Sequence, residues 1–182
     1  MGIEIIVLAA VLGAILSVFL PTLWTRASPL PTSGAVRATL LAMLPLTVDG
    51  PVYDLGSGWG GLARALARRY PRTPVIGFGV SPLPWAWSRL RQALGGLSDG
   101  KTGNLTFRFG DFHNADLTGA ALVVCYLPGP AMEKLKPKLE AELKPGAMVA
   151  SNTFAPRGWD PAEVRTAPDA HASQVYLYRV GD

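Results

Sequence analysis

The sequence predicts an α/β fold, a mostly parallel sheet with helices on both faces and an antiparallel strand at its edge, preceded by one membrane-spanning helix. Three observations lead there. From Asp49-Gly50 onward, short apolar runs alternate with stretches of helical period. A glycine-rich turn follows the first apolar run and opens the first helical one. Ahead of both lies Ile3 to Leu20, an apolar run broken only by Glu4, Ser17 and small residues. A chain of 182 residues has the size of one domain with an appendage.

The N-terminal run is the first element. At about 1.5 Å per residue, Ile3–Trp24 is long enough to cross a hydrocarbon core of about 30 Å. A cleaved signal peptide would start with basic residues and end in a small-x-small site, whereas this run starts with Glu4 and ends Phe-Leu-Pro-Thr-Leu-Trp. The expectation is a retained single-pass anchor over residues 1–25, with Trp24 at the interface. Arg26 and Arg37 follow the run and nothing basic but the terminal amine precedes it, which puts the rest of the chain on the cytoplasmic, or mitochondrial matrix, side. Residues 26–50 read as a linker and pre-domain helix. Ser28-Pro-Leu-Pro-Thr-Ser-Gly34 is proline-rich, and Val36, Leu40, Leu41, Met43 and Leu44 recur at helical spacing.

Residues 51–182 carry the domain. Pro51–Leu55 is a short apolar strand, and Trp59–Tyr70 a helix with Leu62, Ala63, Leu66 and Ala67 on one face and Pro71 past its end. Val75–Gly79 is the second strand, and Leu83–Leu94 the second helix, closed by Gly95-Gly96. Leu105–Phe109 alternates as a third strand, and Ala120–Tyr126 is a fully apolar fourth. Ala131–Leu143 is a helix, and Ala147–Phe154 a fifth strand after a Lys-Pro-Gly turn. Glu163–Thr166 and Val175–Val180 pair as a closing hairpin without an intervening helix, the source of the antiparallel edge. The link between the third and fourth strands is too short for a full helix.

Composition narrows the function. The single cysteine, Cys125, excludes an internal disulfide and sits in an apolar run, as a core residue does. The net charge of +4 owes much to Arg64, Arg68, Arg69, Arg72, Arg89 and Arg91 at helical spacings. These read as a solvated face near anionic lipid, since no interleaving of aromatic and basic residues supports nucleic-acid binding. His113 and His171 are far apart, and no metal-ligand spacing is evident.

The turn Asp54-Leu-Gly-Ser-Gly-Trp-Gly60 is the centre of the chemistry. Gly56 and Gly58 admit backbone conformations and a ligand approach that a Cβ would block, and the following helix N-terminus offers unpaired N–H groups. The spacing Gly56-x-Gly58-x-x-Gly61 also fits a dinucleotide fingerprint, which leaves a nicotinamide-dependent oxidoreductase open. Asp54 tilts the choice, because dinucleotide folds have an apolar residue there, while a carboxylate suits the amino group of S-adenosylmethionine. Its alternative role is to brace the loop. Asp111, after the third strand in Phe109-Gly-Asp-Phe112, lies where the adenine amino group would be held, and Phe112 is placed to pack on the ring; a turn-forming role for Asp111 is the alternative.

Several segments together resemble one family: Pro31-Thr-Ser, Val52-Tyr-Asp-Leu-Gly-Ser-Gly, Ile76-Gly-Phe, Ser81-Pro82, Gly110-Asp111, Val124-Cys-Tyr-Leu-Pro128 and Leu143-Lys-Pro-Gly146. The chain is similar to the small membrane-anchored protein-lysine methyltransferases related to the mitochondrial enzymes for the ATP synthase c-subunit and the adenine nucleotide translocase. The resemblance implies a Rossmann-like methyltransferase fold, S-adenosylmethionine as cofactor, no metal, and a lysine of a membrane protein as acceptor. It implies cofactor contacts from Asp54, Gly56, Ser57, Gly58, Gly60, Ser81, Asp111 and Phe112, and from Pro31 and Thr32 in the segment that closes the site. Tyr126 and Pro128 inherit the place where the target amine enters. From the residues alone, Asn152 and Thr153 at the end of the fifth strand are candidates to line the substrate side, with a strand-end hydrogen-bond role as the favoured alternative, and His113 is a minor candidate base, a surface or turn role being favoured for it.

Two positions depart from that pattern. Trp59 stands where the family has Asp, and Gly79 replaces the acid that ends the second strand and grips the ribose hydroxyls; Ser81 is the partial substitute within reach. A charged hydrogen bond contributes about 1.5–3 kcal/mol, so its loss weakens a cofactor by about one to two powers of ten. These departures keep a third reading open, a catalytically inactive scaffold or assembly factor on the same fold.

Overall fold

The computed structural model describes residues 2–9, 12, 13, 16, 32–94 and 103–181. From residue 34 onward the described residues form, in order, α1 (Gly34–Met43), β1 (Val52–Leu55), α2 (Gly61–Arg69), β2 (Val75–Gly79), α3 (Pro82–Leu94), β3 (Leu105–Phe109), β4 (Leu122–Cys125), α4 (Gly129–Glu142), β5 (Met148–Asn152), β6 (Glu163–Thr166) and β7 (Gln174–Arg179). A short 3-10 turn, Phe112–Asn114, bridges β3 towards β4.

The strands form one sheet in the order β3-β2-β1-β4-β5-β7-β6. β1 to β5 are parallel neighbours, with β1 central between β2 and β4. The strand order reverses at β1, so a crevice opens beyond its carboxyl end, the place where this class of sheet binds ligands. β4 is apolar and fully buried, and β1 is buried except at the half-buried Tyr53, because helices cover both faces of the sheet.

The expected antiparallel edge strand needs correction. β7 is antiparallel to both neighbours but lies inside, between β5 and β6, and the outermost strand β6 runs the same way as β1 to β5. The burial pattern gives the reason. β7 carries Val175 and Tyr178 into the core, whereas β6 buries no residue fully and suits an exposed edge.

The membrane-spanning helix expected over Ile3–Trp24 is also corrected. Among the described residues no helix is long and apolar enough to cross a membrane. Residues 2–9, 12, 13 and 16 are helical and exposed, and residues 10, 11, 14 and 15 lie outside the described residues. Residues 17–31, which include Trp24 and Arg26, lie outside the described residues, as do Gly95-Gly96.

Two apolar clusters fill the two faces of the sheet. On one, Val36, Leu40, Met43 and Leu44 of the α1 region join Leu62, Leu66, Val52, Val124 and Val175. On the other, Met132, Leu135 and Leu139 of α4 pack with Leu55, Val123, Cys125, Val149 and Tyr178. α1 therefore shares the core of the domain, although it precedes the first strand. Ser33 starts it, its Oγ accepting the Val36 N–H at 3.2 Å. Cys125 is fully buried, and burial pushes its thiol up to about 12, consistent with a core residue and not a nucleophile.

Candidate functional site

The loop after β1 is tied down by β2. The Gly56 and Ser57 N–H groups donate to the Phe78 carbonyl at 3.1 and 2.7 Å, and the Ser57 hydroxyl donates to the same oxygen at 3.0 Å. Gly56 has φ +90°, and a Cβ there would meet Leu127 Cδ2 at 3.0 Å. The loop thus approaches the segment after β4 as closely as a glycine allows, and brings Tyr126 to the same space.

Gly60 has a different task. Its φ is +73°, and an added Cβ would stand 2.6 Å from the Phe107 ring and 2.7 Å from Ser88 Oγ. That glycine lets α2 start hard against β3 and α3. It does not line the cavity beside the loop.

That cavity has a volume of about 230 Å³ and lies at the carboxyl end of β1. Asp54, Gly56, Ser57, Gly58, Thr32 and Tyr126 line it, so most of the sequence candidates around the loop converge. Ser81, Asp111, Phe112 and Pro128 are not among its walls, and Pro31 lies outside the described residues. Pro128 instead precedes the first turn of α4. Phe112 is buried with Leu117, Ala115 and Phe78, and its ring stacks on His113 at 4.5 Å. Asp111 Oδ1 accepts from the His113 N–H at 2.9 Å and lies 2.7 Å from His113 Nδ1, which makes it the cap of the 3-10 turn. Those interactions hold the Asp111 carboxyl below its usual range against the opposing pull of desolvation, the largest single influence.

Asp54 is the unusual group. It is 2% exposed, and its Oδ2 has no hydrogen-bond partner among the described residues. Burial raises its pKa from 3.8 to about 7, opposed only by a hydrogen bond from the Ala63 backbone. A buried carboxylate without a cation is costly, and it persists where a ligand supplies the missing partner.

Sequence reasoning missed the basic lining. Arg37 on α1, Arg64 on α2 and Arg91 on α3 all reach the cavity, as do Trp59 and Trp87. Arg64 does not belong to the solvated face expected for it: it is 7% exposed, and its Nη2 donates to the Trp59 carbonyl at 3.2 Å. Helical spacing showed a row of arginines, but only the docking of α1 and α3 over the loop decides which of them turn inward.

At Gly79, where the ribose-gripping acid is missing, the backbone is ordinary strand and an added Cβ would meet only Ser57 Oγ, at 3.7 Å. Packing therefore leaves room for a side chain at this position. Beyond β5, Asn152 is buried, and Thr153 has φ +67°, a left-handed conformation that is strained for a β-branched residue. The Thr153 hydroxyl donates to Asn152 Oδ1 at 2.9 Å.

Comparison with known proteins adds the chemical context. A family model described as the ANTKMT methyltransferase domain matches residues 54–163. A protein-lysine N-methyltransferase of Saccharolobus islandicus (strain REY15A) is 35% identical over 154 residues, covering 84% of this chain and 92% of the relative. The crystal structure of an RNA methyltransferase from Salinibacter ruber in complex with S-adenosyl-L-homocysteine superposes with a TM-score of 0.71 at 28% identity, covering 83% of this chain and 94% of that one. The ribosomal protein L11 methylase of Lactobacillus delbrueckii subsp. bulgaricus shares the fold at 15% identity, with a TM-score of 0.64 over 84% of this chain and 82% of its own.

Proposed function

The chain belongs to the ANTKMT methyltransferase domain family, and from that premise we propose that it methylates a lysine side chain of a protein. It is an S-adenosylmethionine-dependent methyltransferase, and family membership displaces the nicotinamide and inactive-scaffold alternatives. The observation that carries the cofactor assignment is Asp54: a buried carboxylate with an orphaned oxygen beside a glycine loop that no side chain fills. The acceptor assignment rests on the archaeal relative, which is named a protein-lysine N-methyltransferase and is matched over nearly its full length.

In this reading Asp54 pairs with the ammonium of the methionine moiety. The loop from Gly56 to Gly58 runs beneath that moiety, and Thr32 closes over it. The adenine amino group takes the oxygen that Asp111 does not give to His113. When bound, the cofactor supplies an activated methyl group on a sulfonium, so the protein has to align a neutral amine and exclude water. Tyr126, the wall residue on the β4 side, positions that amine, with Pro128 fixing the turn into α4 behind it.

The membrane-protein acceptor expected from the sequence depends on the spanning helix, which the described residues lack. The proposed acceptor is therefore a protein lysine with no location attached. RNA is the second reading, favoured by the name of the Salinibacter ruber relative. Incubating the purified chain with S-adenosylmethionine carrying a labelled methyl group and a lysate, half of it treated with ribonuclease and half with protease, tests both. Protease-sensitive label recovered as methyl-lysine is expected. Label that is lost only with ribonuclease overturns the lysine assignment.

A further inference from the structure

The cavity beside the loop holds two opposite charges that do not satisfy each other. Asp54 is buried with Oδ2 unpartnered, and no cation figures among the influences on its pKa. Arg37 lines the same cavity, half-buried, and its guanidinium has no hydrogen-bond or ion-pair partner among the described residues. Its Nη1 stands 3.7 Å from where a Cβ of Gly61 would be, which sets it over the N-terminal end of α2. That end is already positive, so an unpaired guanidinium there adds like charge to like. The arrangement is unfavourable for the empty protein and favourable for a ligand that brings an anion.

The local structure explains why Arg37 is there. Ser33 caps α1, and the Arg37 N–H donates to the Ser33 carbonyl at 3.0 Å, so Arg37 lies one turn into the helix. Val36, Leu40 and Met43 anchor α1 in the core, which fixes the rotation of that first turn. Thr32 and Arg37 thereby face the same cavity. The other two arginines are less suited. Arg64 is engaged with the Trp59 carbonyl, and Arg91 lies on an exposed part of α3.

We infer that Arg37 and Asp54 form a two-charge clamp for the α-amino acid end of the cofactor, Arg37 binding the carboxylate by its guanidinium fork while Asp54 binds the ammonium. This rests on the cofactor assignment above and adds a specificity determinant to it. The clamp recognises a zwitterion, and a ligand that lacks the amino acid group gains nothing from either residue. A planar fork matches a carboxylate through two parallel hydrogen bonds, and a lysine cannot reproduce that geometry.

The test is titration calorimetry of the full chain with two probes, S-adenosylhomocysteine and 5′-methylthioadenosine, which keeps the nucleoside and lacks the amino acid group. Arg37→Ala should weaken S-adenosylhomocysteine by about tenfold to a hundredfold and leave methylthioadenosine within about twofold. Arg37→Lys should fall between the wild type and Arg37→Ala. A protein merely loosened by the substitution would lose both ligands together, and that outcome overturns the clamp, as does unchanged S-adenosylhomocysteine binding in Arg37→Ala. A wild type that binds S-adenosylhomocysteine no better than methylthioadenosine also overturns it while sparing the cofactor assignment. A wild type that binds neither overturns both.

Discussion

The two halves of the cofactor crevice are built on different principles. On the side of β1 and α1, a glycine loop, a buried Asp54 whose Oδ2 has no partner among the described residues and an Arg37 guanidinium likewise unpaired among them converge on one cavity. On the side of β2, Gly79 ends the strand with no side chain at all, and the nearest polar group, Ser57 Oγ, is committed to the Phe78 carbonyl. Charge is concentrated where an amino acid group would lie and deleted where a ribose would lie. On the proposed reading this difference predicts binding weighted to the methionine end, and each half is open to separate perturbation.

Removing the charge on the occupied half should have the largest effect. Asp54→Asn keeps the shape and abolishes the carboxylate, and S-adenosylhomocysteine affinity by calorimetry should fall by about a hundredfold or more, the roughly 3 kcal/mol scale of a buried charge pair losing one member. An affinity within about threefold of the wild type would remove Asp54 from the account.

The same residue predicts a pH dependence. Its folded pKa of about 7 lies above the ordinary 3.8, so the native chain holds a proton that the unfolded chain releases. Stability of the ligand-free protein should therefore fall as pH rises from about 4 through about 7. Ligand affinity runs the opposite way, because the ammonium needs the ionised form: it should drop by up to about tenfold per unit below pH 7 and level off above it. In Asp54→Asn this dependence should disappear.

On the empty half, restoring an acid should produce a gain. The backbone at Gly79 is an ordinary strand with room for a Cβ, and Gly79→Glu should tighten S-adenosylhomocysteine by about tenfold, near 1.5 kcal/mol. No gain would mean that the ribose is held in some other way. The smallest effect belongs to the link between the halves. Ser57→Ala loses the hydroxyl bond to Phe78, worth about 1 kcal/mol, and the melting temperature should drop by about 2–4 °C.

Much of the fold was legible in the sequence because alternation of strand and helix is local. The runs around Val52, Val75, Leu105, Val123 and Val149 each have the period and length of their element, and all five became parallel strands. Strand order at the far edge was not legible. Placing β7 inside β6 depends on which of two short strands buries more apolar surface, a comparison made only once both meet the sheet. The apolar N-terminal run misled in a different way: apolar length is necessary for a span but is not sufficient, and among the described residues no helix is long and apolar enough to cross a membrane.

At the site, the place of the loop and Asp54 at the cavity could be read directly, because it follows from position relative to a strand and a helix. Arg37 could not, since it precedes the first strand and reaches the cavity only through the docking of α1. Phe112 shows the reverse failure: a ring next to the candidate carboxylate Asp111 looked available for stacking, but it lies at the start of the 3-10 turn, buried in the core.

The most direct test of the central claim, that the charged half of this crevice holds S-adenosylmethionine, is calorimetric titration of the full chain at pH 8 with S-adenosylhomocysteine and, separately, with NAD. Saturable binding of S-adenosylhomocysteine at one site per chain, with none for NAD, is the predicted result. Binding of NAD in preference, or of neither, would contradict it.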